Sequence, residues 1–320
     1  MKFAVVGDYL VQRRLPSRYE GFEEICQWLG QADARYCNME TTINREGECH
    51  GHAFCGGSYL RANPEVLEDC KRFGFNMTTW CNNHTLDFDT DGVAKTYDYM
   101  EASGLVHAGA GKNLDQAAAP AYLDTENGRV ALIGFTSSVN STYDDVGIAG
   151  RLPGRPGVNQ LRFKTVLKIT PEQMEFVKDL IEKTNVNSAE DIARAEGYRA
   201  ELPAGTVKLG KHVFFEESDH THKVTLCNPA DLERLDKAIF EAKLCADQII
   251  VAVHSHQLDG KTKETISQFI QEFAHHAIDQ GADAVIGHGP HELQGIELYK
   301  GSLILYSVGN FIFETDTVSL

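Results

Sequence analysis

The chain has 320 residues, 42% of them hydrophobic, and its 30 Lys and Arg against 46 Asp and Glu give a formal net charge of −16. That acidic surplus excludes counterion-releasing attachment to DNA or RNA, which needs basic surface. No apolar run approaches the ~20 residues that span a bilayer, and the opening "MKFAVVGDYL" lacks a signal-peptide pattern, so the expectation is a cytoplasmic globular protein.

In chain order, "FAVVGD" reads as a first strand ending in a polar turn, "FEEICQWLG" as a helix and "ARYCNMET" as a second strand. "NPEVLEDCKRFG" reads as a helix with Asn63 as N-cap, Pro64 at its first position and Gly74 as its stop. "FNMTTW" is a third strand that opens into "CNNHTLD", and "GRVALIGFTS" a fourth. From about Thr136 to Leu226 the pattern changes. "GIAGRLPGRPGVNQLR" is rich in Gly, Pro and Arg, and "TPEQMEFVKDLIEKT" is a helix with a Thr170/Gln173 capping box and a stripe of Val177, Leu180 and Ile181. "VFFEESDHTHKVTL" reads as a hairpin-like pair of strands. The whole stretch 137–226 has the character of an insertion into one domain spanning 1–320.

Beyond it, Asn228-Pro229 opens a helix carrying Leu232, Leu235 and Ile239, and "QIIVAVHSH" is a strand. "ETISQFIQEFAHHAIDQG" is a helix with Ile266, Phe269, Ile270, Phe273 and Ala277 on one face, followed by "ADAVIGH" and "SLILYSVGNF" as strands. Strands alternating with helices imply an α/β layered core. The 8 cysteines are scattered, as expected of reduced buried thiols; the cluster Cys49, His50, His52 and Cys55 matches none of the usual zinc spacings, and a plain loop is expected there.

The polar residues follow the strands. Asp8 ends the first, Glu40 the second and Asn83-His84 the third, while His254 and His256 end "IIVAVHSH" and His288 and His291 end "AVIGHGPH". Groups just past the carboxyl ends of strands in an open α/β sheet converge on one crevice. Mixed oxygen and imidazole donors suit Mn, Zn or Fe, one or two ions per chain. His254 and His256, two apart, share a strand face, so that one can be a ligand and the other its neighbour. Arg151, Arg155 and Arg162 form a basic island of the kind that clamps carboxylates or phosphates. A substrate lid is the expected role of the stretch that carries them.

The segments "GDYL", "YCNMET", "CNNHTLDFDTDGVAKTYDYMEASGLVHAGAGKN" and "ADAVIGHGPHELQGIELYKGSLILYSVGNF" together resemble the CapA-like poly-γ-glutamate synthesis family, within the calcineurin-like metallo-dependent phosphoesterase superfamily. The resemblance implies a four-layer α/β/β/α sandwich of metallophosphoesterase type with a dinuclear site at its strand ends and an inserted lid-like segment. It assigns Asp8 to one metal, Glu40 to the bridge, Asn83, His254 and His288 to the second metal, and His291 to the first. It makes His84 the imidazole that touches substrate and protonates the leaving group, with Asp87 to orient it. This chain departs from the pattern at Leu10, where the superfamily has a ligating His, and at "HSHQ", where His256 stands in as ligand or acid.

The implied activity is a metal-dependent hydrolase acting through a metal-activated water on a phosphoester or a γ-glutamyl amide, in poly-γ-glutamate or capsule metabolism. An anionic small molecule, peptide or polyglutamate is the expected substrate, and homo-oligomers are compatible with the sequence. The rival readings are a non-catalytic binding subunit of a polymer-synthesis assembly, which has no need of tightly held metal, and a peptide epimerase, which leaves product mass unchanged.

Overall fold

The computed structural model describes residues 1–139, 154–210 and 212–314. Arg151 lies outside them. The chain divides into two compact units, Met1–Arg162 with Pro229–Leu320, and Phe163–Asn228. Among the described residues it is a mixed α/β protein with 8 helices.

The larger unit holds two sheets. The first has five strands, in the order Asn310–Phe313, Phe3–Leu10, Ala34–Met39, Met77–Thr79 and Val106–Ala108, every neighbouring pair parallel. The second has six, in the order Ile296–Tyr299, Ser302–Leu305, Ala284–His288, Gln248–His254, Gly128–Thr136 and Ala121–Thr125. Its inner four are parallel and its two edges antiparallel. Ala34, Tyr36 and Met77 of the first sheet join Val130, Leu132, Ile250, Ala252 and Ile286 of the second in one buried cluster.

Strand periodicity explains both faces of the first sheet. Ala34 and Tyr36 enter that shared cluster, whereas Cys37 and Met39 turn to the other side. There they meet Leu29 of helix Phe22–Leu29, Val66, Leu67 and Cys70 of helix Val66–Arg72, and Val93 and Met100 of helix Asp89–Ser103. On the second sheet, helices Pro229–Cys245 and Gln268–Gln280 bury Leu235 and Ile239, and Phe269 and Phe273; the Phe273 ring meets Phe135 edge-on at 5.2 Å.

The smaller unit is a four-stranded sheet, ordered Thr206–Leu209, Val213–Glu217, Phe163–Ile169 and His222–Cys227, with helices Pro171–Thr184 and Ser188–Ala195 and a small core of Ile169, Met174 and Phe215. The capping box at Thr170 and Gln173 forms. The expected hairpin in "VFFEESDHTHKVTL" does not. Strand Phe163–Ile169, absent from the sequence reading, lies between its two halves, parallel to one and antiparallel to the other. Two further expectations are corrected. "SLILYSVGNF" is not one strand, because Ser302–Leu305 belongs to the second sheet and Asn310–Phe313 to the first. The helix expected from Asn63 starts at Val66, because the bonds Val66 N to Asn63 O and Leu67 N to Pro64 O span three residues and wind a tighter first turn.

Candidate metal centre

Parallel strands deliver their carboxyl ends to one edge, and the site grows there. His254 and His288 are register partners on adjacent strands, so their side chains leave the sheet side by side. Asp8 needs a local device. In its strand Val5 faces the shared cluster and Val6 the opposite one, so simple alternation would turn Asp8 toward the helices. The register slips between Val5 and Asp8 against Ala34–Met39, and between Asp8 and Tyr9 against Asn310–Phe313. This irregularity re-aims the carboxylate, as bulges beside active sites do. Gly7 makes it feasible, since a Cβ there would stand 1.7 Å from the Gly309 carbonyl oxygen.

The donors converge. His254 Nδ1 stands 3.9 Å from Asp8 Oδ1, and His254 Nε2 stands 3.6 Å from Glu40 Oε1. His291 Nδ1 lies 3.3 Å from Asp8 Oδ2 and its Nε2 lies 3.8 Å from Glu40, while His256 Nε2 lies 3.9 Å from Glu40. Three overlapping groups result: Asp8, His254 and His288; Glu40, His254 and His256; and Asp8, Glu40 and His291. Asn83 Oδ1 is 2.8 Å from His254 Nε2 and 3.2 Å from His256 Nε2. His291 sits in left-handed backbone at φ 59°, a conformation that side chains favour only under constraint.

Glu40 supplies the test of fit. Both its oxygens are fully buried and neither has a hydrogen-bond partner in the protein. An orphaned buried carboxylate among imidazoles is costly unless a cation satisfies it. Two carboxylates with four imidazoles match the preferences of Mn, Zn or Fe.

The electrostatics agree. Burial, then the charge of Asp8, pushes the Glu40 carboxyl well above its usual range. Burial also acts to raise Asp8, but hydrogen bonds from His291 and Asn38 and the charges of His288 and His291 outweigh it and hold that carboxyl low. Burial lowers His288 from 6.5 to about 4 and His256 to about 4, and drives His254 well below 6.5. His254, His256 and His288 therefore favour the neutral form at pH 7, as ligation requires.

A stability profile follows for the metal-free protein. Between pH 6.5 and about 4 the unfolded chain takes up protons at three histidines that the folded chain refuses, so stability falls as pH falls through that window. Glu40 acts oppositely, because its raised pKa gives stability that is lost as pH rises above 4.5. Three imidazoles outweigh one carboxyl. Chelator-treated protein is expected to lose a few kcal/mol between pH 6.5 and about 4 by denaturant titration; a flat profile would contradict the buried neutral cluster.

His84 Nδ1 pairs with Asp87 Oδ2 at 2.8 Å, which leaves Nε2 as the nitrogen that can exchange a proton. Asp87 is fixed in turn by the backbone N–H groups of Gly56 at 2.7 Å and Leu60 at 2.8 Å. Asn83 Nδ2 donates to Gly56 O at 2.8 Å, so one loop sets both His84 and Asn83. A Cβ on Gly56 would come within 2.5 Å of His84 Nδ1. Gly56→Ala is expected to displace the His84 ring and the Asn83 backbone together and to weaken metal binding by roughly 10-fold. Calorimetric titration with Zn or Mn checks this, and wild-type affinity would refute it.

The family of bacterial capsule synthesis proteins, PGA_cap, matches residues 2–315. The chain belongs to the PGA_cap family. It is 35% identical over 313 residues, 97% of its length, to the uncharacterized protein y4sH of Sinorhizobium fredii, of which it covers 65%. The PGA biosynthesis protein CapA of Bacillus subtilis is 39% identical over 258 residues, 80% of this chain and 47% of that protein. A probable polyglutamine synthesis accessory protein of Mycobacterium tuberculosis is 24% identical over 287 residues, 89% of this chain and 57% of its own. The chain thus spans less than two thirds of each of these relatives' length.

This PGA_cap chain, a CapA-like member of the metallophosphoesterase-like superfamily, brings together Asp8, Glu40, Asn83, His254, His256, His288 and His291, with His84 and Asp87 beside them. His256 stands in the donor set against Glu40 and Asn83, whereas Leu10 is buried in the core. Arg162 is engaged elsewhere. Its guanidinium makes two bonds to Asp231, at 3.0 and 2.8 Å. The Cys49, His50, His52 and Cys55 cluster forms no metal-binding group among the described residues. Asn38 and Asn310 escaped the sequence reading. Asn38 Nδ2 donates to Asp8 Oδ1 at 2.8 Å, and Asn310 Oδ1 lies 2.8 Å from His291 Nδ1. The signal was positional, since each is an amide on a strand beside Asp8. Among the described residues no helix is long and apolar enough to cross a membrane.

Proposed function

We propose that this chain is a metal-dependent hydrolase within poly-γ-glutamate or capsule metabolism, built on a four-layer α/β/β/α sandwich. The observation that carries this reading is Glu40, a buried carboxylate with both oxygens unpartnered and three imidazoles close by. Asp8, Glu40, Asn83, His254, His256, His288 and His291 would hold the ions. Bound divalent cations would lower the pKa of a water toward neutrality and polarise the substrate oxygen.

The chain's own groups do the rest. Asp87 holds His84 in one orientation, and His84 gives a proton from Nε2 to the departing oxygen or nitrogen. Asp8, Glu40, His254 and His288 are buried, which strengthens the charge interactions among them. An anionic substrate is the reading for phosphoester and γ-glutamyl chemistry alike, with Arg155 contributing its recognition. The name of one relative, a PGA biosynthesis protein, favours the γ-glutamyl bond. The test is hydrolysis by the metal-loaded chain on matched panels of phosphodiesters and γ-glutamyl peptides. Turnover on one panel, abolished by chelation and restored by Mn or Zn, supports the reading. Metal retained with no product from either panel overturns the hydrolase assignment.

A further inference from the structure

A chain of buried hydrogen bonds runs behind the metal centre, from His288 to Asp8, and its direction is fixed by its two ends. Asn38 Nδ2 donates to Asp8 Oδ1 at 2.8 Å, so the Asn38 oxygen is the acceptor that faces the other way. Thr79 Oγ1 donates to that oxygen at 3.3 Å, which spends its only proton. Tyr36 Oη, bonded to Thr79 Oγ1, must therefore donate to it. The remaining contact of Tyr36 Oη is His288 Nε2, at 2.7 Å. With its own proton committed, the phenol can only accept there, so His288 carries its hydrogen on Nε2.

We infer that Tyr36 is a positioning residue that locks His288 in the Nε2–H tautomer and presents its Nδ1 lone pair to the metal centre. This rests on the metal-binding reading above. Tyr36, Asn38, Thr79, Asp8 and His288 are all buried, so no bulk water competes for the relay. The inward geometry agrees, because His288 Nδ1 lies 3.2 Å from His254 Nδ1. On the other side of His254, Asn83 uses its NH₂ on Gly56 O and turns its oxygen to His254 Nε2, which places that proton on Nε2 as well. Two unprotonated Nδ1 atoms then face each other beside Asp8, that of His254 also 3.3 Å from Asn38 Nδ2, an arrangement that a cation between them satisfies. Hydrogen bonds of this kind set ligand tautomer and orientation, and their loss costs ~10–100-fold in metal affinity.

Nitrogen-15 NMR of the metal-free protein reads the tautomer directly, and calorimetric titration with Zn or Mn reads affinity. Wild type is expected to show His288 protonated at Nε2. Tyr36→Phe is expected to bind metal roughly 10–100-fold more weakly, with a mixed His288 tautomer. Thr79→Val cuts the relay one bond further from the metal and gives the same change in smaller measure, which covers a Tyr36→Phe protein that fails to fold. A wild-type His288 protonated at Nδ1, or both variants binding metal as wild type does, would overturn the inference. Wild type that binds neither metal overturns the metal reading alone, and the tautomer measurement still decides the relay.

Discussion

Glu40→Gln is expected to lower affinity for divalent metal by at least ~100-fold and, in the same protein, to raise the stability of the metal-free fold above pH 7. The two effects share one cause. Glu40 is buried with no partner for either oxygen, and its ionisation is opposed first by burial and then by the Asp8 charge. Ionised and without a cation, it destabilises the fold; glutamine removes the charge and keeps the shape. The gain is on the order of 1–3 kcal/mol, the usual cost of an unsatisfied buried group. Chelator-treated protein in denaturant titrations at pH 8, with calorimetry for metal, reads both. A structural carboxylate would give the reverse, a destabilised variant with unchanged metal affinity.

The second large effect belongs to His84. His84→Asn is expected to reduce kcat by roughly 10²–10⁴-fold for substrates with poor leaving groups, the usual contribution of a general acid. Metal content should hold at the wild-type level. The loss should shrink toward nothing for an activated ester such as a p-nitrophenyl substrate, whose leaving group needs no proton. An equal loss on both substrates would assign His84 to binding or to metal ligation. Asp87→Asn should follow the same dependence on leaving group with a smaller effect, because Asp87 acts only by holding the His84 ring.

Most of this centre was legible because its residues stand at the ends of strands that could be recognised one by one. Asp8, Glu40, Asn83, His254 and His288 needed only the rule that parallel strands share an edge. What supports them was not legible. The aim of Asp8 depends on a register slip and on Gly7 meeting the Gly309 carbonyl, both consequences of pairing with the distant strand Asn310–Phe313. Tyr36 and Thr79 look like ordinary strand residues, and their polar role exists only where the two sheets meet around His288. "FKTVLKI" was hidden by the Gly, Pro and Arg before it and the strong helix start after it. It gains its place between two other strands, with only Val166 and Ile169 deeply buried. Arg162 carries a pairing that the sequence did not show. A basic residue in an acidic chain suggested a ligand, whereas its guanidinium meets the buried carboxylate of Asp231.

The central claim is that Asp8, Glu40 and the four imidazoles exist to hold metal. Elemental analysis of the full chain, purified without chelator or affinity metal, tests this most directly. The account predicts about one to two equivalents of Mn, Zn or Fe per chain, lost together in Glu40→Gln and His254→Ala while both variants remain folded. Folded wild-type protein that carries no transition metal, and takes up none on dialysis against Mn or Zn, would contradict it.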